Sequence, residues 1–322
     1  MPNDVAAALP DSAGAHAPAA LDLVPAIHLK SLPADLKPIP NVAEAGIAGG
    51  EAAWISLQCP LKSQPNEDSV AVLPWSGNRG LLMVADGLGG HRGGRRASQL
   101  MKTLLAKAAG QANLIPQPHF LSKLVPVPGV IQNPSGDFDP RTVILNEIER
   151  ANQRLLRSRV GAATTLALAE LQGNRVRSYH VGDSEILVVT QRGRIKYSTV
   201  SHSPIGYAVQ SGLLTEEEAL FHPDRHLVSN VIGSDQMSVE IGPWVQLSPR
   251  DTVLLASDGL FDNLLQAEIV DCVRKGKLGE SVRELATVAR ERMLQPATDF
   301  PSKPDDLTIL AFRAQPATRK SA

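Results

Sequence analysis

Acidic residues sit where the apolar runs of this chain end, and that placement limits what the chain can fold into. Leu81-Leu82-Met83-Val84 leads into Ala85-Asp86-Gly87-Leu88-Gly89-Gly90-His91, and Val253-Leu254-Leu255-Ala256 leads into Ser257-Asp258-Gly259. Asp305-Asp306 stands just ahead of Leu307-Thr308-Ile309-Leu310, and the pair Glu67-Asp68 precedes them all. A single Asp-Gly after a strand is a turn signal. Several carboxylates closing buried strands are harder to explain as turns, because unpaired carboxylates repel one another and desolvate poorly. Hard divalent cations with oxygen ligands are the usual neutraliser.

Between these points the hydrophobic periodicity alternates. Residues 54–57, 69–73 and 80–85 read as strands separated by turn residues. Residues 95–109 read as a helix, as do 143–158, where Ile144, Ile148, Ala151 and Leu155 share one face. Residues 163–171, 175–181, 186–190 and 194–198 read as strands with short links, and Val282, Leu285, Ala286, Ala289 and Met293 mark the apolar face of a late helix. Meandering strands, paired helices, more strands and more helices suit an α+β sandwich of two mainly antiparallel sheets with helices outside.

The chain divides unevenly. Residues 1–50 are rich in Ala and Pro and read as a flexible N-terminal extension, either a solvated tail or a docking arm; 51–315 read as the folded domain and 316–322 as a tail. Within the domain, 110–142 read as a Pro-rich insertion between two helices. The 322 residues alone would allow about two domains. A formal net charge of −1 gives no reason to expect binding to nucleic acid or to an anionic membrane surface. No apolar run approaches the roughly 18 residues that span a bilayer. The first basic side chain other than histidine is Lys30, so a signal peptide is not expected. Cys59 and Cys272 lack metal-type spacing and suit a reducing compartment, so a cytoplasmic location is expected; a monomer is expected as well.

Taken in order, Asn66-Glu67-Asp68, Asp86-Gly87-Leu88-Gly89-Gly90-His91, Gly161-Ala162-Ala163-Thr164-Thr165, Val181-Gly182-Asp183-Ser184, Ser257-Asp258-Gly259-Leu260-Phe261-Asp262 and Asp305-Asp306-Leu307-Thr308 resemble the metal-dependent serine/threonine protein phosphatases, the PPM or type 2C family. The resemblance runs from about Ala52 to Arg313, and the late His91 is closer to bacterial members than to animal ones. It implies a four-layer α-β-β-α sandwich with a dimetal site in the cleft between the sheets, residues 201–233 forming a flap, and a phosphoserine or phosphothreonine protein as substrate.

The resemblance also implies roles. Asp86 would bridge two metals about 3.5–4 Å apart, with Asp86, Asp258 and Asp305 as the catalytic set and a metal-activated water, its pKa lowered to roughly 7, as nucleophile. The carbonyl of Gly87 and the carboxylates of Glu67, Asp258 and Asp305 would complete the shells, with Asp68 ligating through water. Asp183 and Asp262 match positions that hold a weaker third metal. An all-oxygen set points to Mg²⁺ or Mn²⁺ rather than Zn²⁺.

The chain leaves the family pattern at three places. Ser63, beside Lys62, stands where animal members carry a phosphate-binding Arg; Leu88 stands where they carry His; and Gly-Asp-Ser-Arg reads Gly182-Asp183-Ser184-Glu185. Lys62, Ser63 and His91 are therefore the phosphate-contact candidates, Lys62 as a point charge rather than a bidentate fork; His91 reads first as a helix-capping or packing residue. His202, His222 and His226 read as structural. Two alternatives to a phosphoprotein phosphatase stay open: a pseudophosphatase used as a protein-binding module, and a metal-dependent phosphohydrolase of small molecules.

Overall fold

The structure, a computed structural model, describes residues 38–75, 78–89, 93–114, 139–295 and 300–315. Strands β1 (Ala43–Ile47), β2 (Gly50–Leu57), β3 (Ser69–Trp75), β4 (Arg79–Ala85) and β5 (Gly87–Leu88) lead to helices α1 (Gly93–Leu114) and α2 (Pro140–Ser158). A meander of β6 (Ala163–Thr164), β7 (Leu166–Gln172), β8 (Arg175–Val181), β9 (Glu185–Val189) and β10 (Ile195–Ser198) follows. The segment read as a flap contains α3 (Pro204–Gln210) and α4 (Glu216–Leu220). The chain closes with β11 (Glu240–Ile241), β12 (Val245–Gln246), β13 (Thr252–Ala256), α5 (Asp258–Phe261), α6 (Gln266–Val273), α7 (Leu278–Leu294) and β14 (Leu307–Ala314).

One sheet has the order β1-β2-β14-β13-β9-β10, the other β11-β8-β7-β4-β3, and each pairing is antiparallel. The expected four layers follow from side-chain alternation. Leu82 and Val84 of β4 meet Val253 and Leu255 of β13 between the sheets. Leu81, Met83 and Ala85 point the other way, onto Met101, Leu105, Ile144 and Ile148 of α1 and α2. Leu254 and Ala256 likewise pack outward on Val282, Leu285, Ala286 and Ala289 of α7. A central strand covered on both faces needs no polar positions, which is why its sequence is a continuous apolar run. Truncating such a residue, Leu254→Ala for instance, costs about 2–5 kcal/mol.

Three expectations about boundaries change. The domain begins before residue 51: β1 pairs with β2 from Ala43↔Trp54 to Ile47↔Gly50, and Ile47 is buried between the sheets. Composition hid this strand because Ala43–Ile47 is short, Gly-containing and lies on the sheet edge. The helix read as 95–109 runs through Gly110 to Leu114, and the second begins at Pro140 with Asp139 as its cap, so the insertion is shorter than 110–142 at both ends. The strand read as 163–171 breaks at Thr165, because β6 pairs with β5 and only β7 joins the main sheet. Residues 1–37, 115–138 and 316–322 of the extension, insertion and tail lie outside the described residues. Among the described residues no helix is long and apolar enough to cross a membrane.

Candidate active site

Antiparallel register brings the carboxylates together. Ser69↔Ala85 sets the start of β3 beside the end of β4, and so Asp68 near Asp86. Ala256↔Ile309 does the same for β13 and β14, and so for Asp258 and the Asp305-Asp306 pair. Ser257 Oγ then donates to Asp68 Oδ2 at 2.8 Å and joins the two sheets.

The backbone around Asp86 is fixed by the Ala-Thr-Thr segment. Thr164 Oγ1 donates to the Asp86 carbonyl (2.7 Å), as does the Thr165 N–H (2.8 Å), while Thr165 Oγ1 accepts from the Asp86 N–H (2.9 Å). Thr165 Oγ1 in turn meets Ser184 Oγ at 2.7 Å, coupling Asp86 to the loop that carries Asp183. Asp306 has a different task from Asp305: its two oxygens accept the N–H groups of Cys59 (2.7 Å) and Glu67 (2.8 Å), clamping the loop that presents Glu67.

Gly87 and Gly94 pack backbone to backbone. A Cβ on Gly94 would lie 2.3 Å from the Gly87 carbonyl oxygen and 2.8 Å from Glu67 Oε1, so these two oxygens share one cradle that only glycine leaves open. Sequence reasoning did not single out Gly94. The available signal was a Gly-Gly pair opening a helix, where glycine costs up to about 1 kcal/mol against alanine.

The charges are poorly compensated. Burial, then Asp68, Asp258, Asp183 and Asp305, holds the Asp86 carboxyl well above its usual range. Burial pushes Asp68 up to about 7 despite hydrogen bonds to Thr308 and Ser257. Burial and Asp258 push Asp183 up to about 8 and Asp262 to about 6. Burial, with Asp183, raises Glu185 to about 8. Glu67 Oε1, Asp68 Oδ1, Asp183 Oδ1 and Asp258 Oδ1 are buried without a hydrogen-bond partner. Two lysines stand in for cations: Lys303 Nζ donates to Asp258 Oδ2 and Asp262 Oδ2, both at 2.6 Å, and Lys62 Nζ donates to Asp305 Oδ1. Orphaned carboxylate oxygens in an all-oxygen set fit hard divalent cations.

The sequence-derived candidates thus separate. Asp68, Asp86, Asp183, Asp258, Asp262 and Asp305 interact in one cluster, with Glu67 and Gly87 at its edge. Lys62, read as a phosphate contact, is engaged with Asp305, and Ser63 is exposed on the loop leading to Glu67. His91 lies outside the described residues. Lys303, absent from the sequence reading, bridges Asp258 and Asp262 within the cluster; nothing in a Ser-Lys-Pro loop announces such a partner. Of the flap histidines read as structural, His202 Nδ1 accepts from Gly182 N–H and Asn230, and His222 Nδ1 accepts from Asp224 N–H.

The family profile described as protein phosphatase 2C matches residues 59–295. The chain belongs to the protein phosphatase 2C family. The serine/threonine phosphatase stp of Listeria welshimeri is 27% identical over 232 residues, covering 70% of this chain and 84% of that one. Among solved structures, the S. agalactiae serine/threonine phosphatase is 25% identical, with a TM-score of 0.66 and coverage of 83% of this chain and 100% of that one. The catalytic domain of the phosphatase PstP shares the fold at 24% identity, with a TM-score of 0.60 and coverage of 81% and 96%. The protein phosphatase 2C sandwich accounts for the order of the acidic blocks: each block ends or begins a strand whose register is dictated by the sheets.

Proposed function

We propose that this chain is a Mg²⁺- or Mn²⁺-dependent serine/threonine phosphoprotein phosphatase that hydrolyses phosphomonoesters directly, without a phosphoenzyme. The observation that carries this reading is the carboxylate cluster with its unpartnered buried oxygens on Glu67, Asp68, Asp183 and Asp258. Asp86, Glu67, Asp258, Asp305 and the Gly87 carbonyl would hold two ions, with Asp68 ligating through water; Asp183 and Asp262 would hold a weaker third. The PstP catalytic domain that shares this fold is described with two manganese ions, which supports the same count here. When bound, such ions supply positive charge that polarises the phosphoryl group and acidifies a water for in-line attack.

The chain's own residues supply position. Thr164 and Thr165 hold the Asp86 backbone, Ser257 orients Asp68, and Asp306 holds the Glu67 loop. Lys303 and Lys62 compensate the carboxylates that metal would otherwise neutralise. The free thiols Cys59 and Cys272 suit a reducing cytoplasm, and a monomer without nucleic-acid or membrane partners is the accompanying expectation.

Hydrolysis of a phosphothreonine peptide with EDTA and with Mn²⁺ tests the proposal. Activity is expected only with metal, and Asp86→Ala is expected to abolish it while a folded protein remains. Full turnover in chelator would overturn the mechanism, and faster turnover of a free phosphometabolite than of any phosphopeptide would move the substrate class.

A further inference from the structure

A pocket of about 300 Å³ opens directly off the carboxylate cluster, sharing Asp183, Asp258 and Asp262 with it. Its far walls are Ile205 and Val209 of α3, Leu220 of α4 and Phe261 of α5, with Glu185 and Glu216 beside them. The flap side is built rather than loose. Ser203 caps α3 through the Gly206 N–H (2.9 Å), and Thr215 and Glu218 form a reciprocal capping box on α4. Arg225 donates to the carbonyls of Leu220 and Ser302 and fastens the flap to the loop that carries Lys303.

This wall departs from the family pattern. Glu185 replaces the arginine of Gly-Asp-Ser-Arg, so a carboxyl that an incoming cation would ionise stands where the family pattern has a base. The charged neighbours of Glu185 are Asp183, Asp262 and Glu216, and among the described residues no basic side chain forms an ion pair with Glu185 or Glu216. Arg225 also lines the pocket, but its guanidinium is taken up by the carbonyls of Leu220 and Ser302, and a purely apolar ligand would leave the acidic wall desolvated and unpaired. A lysine or arginine satisfies both walls: its methylene stem covers Ile205, Val209, Leu220 and Phe261 while its cationic head reaches the carboxylates.

We propose that this pocket receives a basic side chain of the phosphoprotein substrate, close in sequence to the phosphoresidue, and that Glu185 selects for it. The inference rests on the phosphatase reading of the neighbouring cluster and names a substrate class for it. The phosphate lies over the cluster and the neighbouring Lys or Arg enters the pocket that adjoins it.

The test is kcat/KM for phosphothreonine peptides that differ at one flanking position, Lys or Arg against Ala against Glu, with Mn²⁺ saturating and para-nitrophenyl phosphate as a substrate without flanks. At the flanking position that reaches the pocket, the basic peptide is expected to exceed the neutral one by about tenfold, the scale of one charge-assisted hydrogen bond. Glu185→Gln should reduce that ratio to about threefold or less, and Glu185→Arg should invert it in favour of Glu. Taking the ratio within each variant removes any general loss of activity, and Glu185→Gln preserves size if the arginine variant does not fold. Hydrolysis of para-nitrophenyl phosphate with no preference at any flanking position overturns the pocket assignment and leaves the phosphatase reading intact. A Glu185→Gln variant with an altered Mn²⁺ requirement and an unaltered peptide ratio also overturns it, assigning the pocket to the cation site. No hydrolysis of any substrate overturns both.

Discussion

Lys303 Nζ donates to Asp258 Oδ2 and Asp262 Oδ2, both at 2.6 Å, so one ammonium holds the carboxylates at the two ends of α5. Burial alone would lower its pKa, yet the two aspartates leave it above its usual value. A cation that takes Asp258 must therefore compete with Lys303. Lys303→Met is expected to lower the Tm of the metal-free protein and to reduce the half-saturating Mn²⁺ concentration by about tenfold, given about 1.5–3 kcal/mol for a charged hydrogen bond. An unchanged Mn²⁺ titration would show that ammonium and metal do not share the oxygen.

The raised carboxyls make metal-free stability pH-dependent in a definite direction. Asp68 titrates at about 7 and Asp183 at about 8 in the folded chain, both through burial, against about 3.9 when unfolded. The folded state thus binds protons more tightly, so the contribution of these groups is fully present below about pH 4 and is lost as pH rises through 7 and 8. In EDTA, Tm is expected to fall from pH 6 to pH 8, and saturating Mn²⁺ should cancel most of that slope. A Tm that rises over this interval in EDTA would mean that these carboxylates are already compensated.

Ser63 is exposed and Lys62 is committed to Asp305, so no bidentate phosphate clamp comes from this loop. Ser63→Arg is expected to lower KM for a phosphopeptide by up to about tenfold with little change in kcat. Lys62→Ala should act on the Mn²⁺ requirement rather than on KM. If Lys62→Ala instead raises KM alone, the lysine leaves Asp305 for the substrate phosphate.

Gly94 offers a test that leaves every charged group in place. Alanine there would favour α1 by about 1 kcal/mol of helix propensity. Its Cβ would also meet the Gly87 carbonyl carbon at 2.5 Å and oxygen at 2.3 Å, and backbone cannot swing aside. Gly94→Ala is expected to weaken Mn²⁺ binding at least tenfold in calorimetry and to lower kcat. Wild-type Mn²⁺ affinity in this variant would detach the Gly87 carbonyl from the cation site.

Much of this protein was legible in its order of residues. Strands covered on both faces announce themselves as apolar runs such as Leu81–Val84 and Val253–Ala256, and helices α2 and α7 announce themselves by their 3.6-residue stripes, because side-chain alternation and helical period are local properties. The acidic blocks closing those runs pointed to a cation cluster for the same reason. What tertiary structure alone decided is pairing. Thr165 reaching Asp86, Asp306 taking the backbone of Cys59 and Glu67, Lys303 settling on Asp258, and Glu185 facing a pocket of flap side chains all depend on sheet register and crossovers between distant segments. β1 belongs with these: its residues carry no signal of their own, and it becomes a strand only because β2 offers an open edge. Local sequence specifies which residues are buried or charged, whereas the identity of each charge's partner is a property of the folded arrangement.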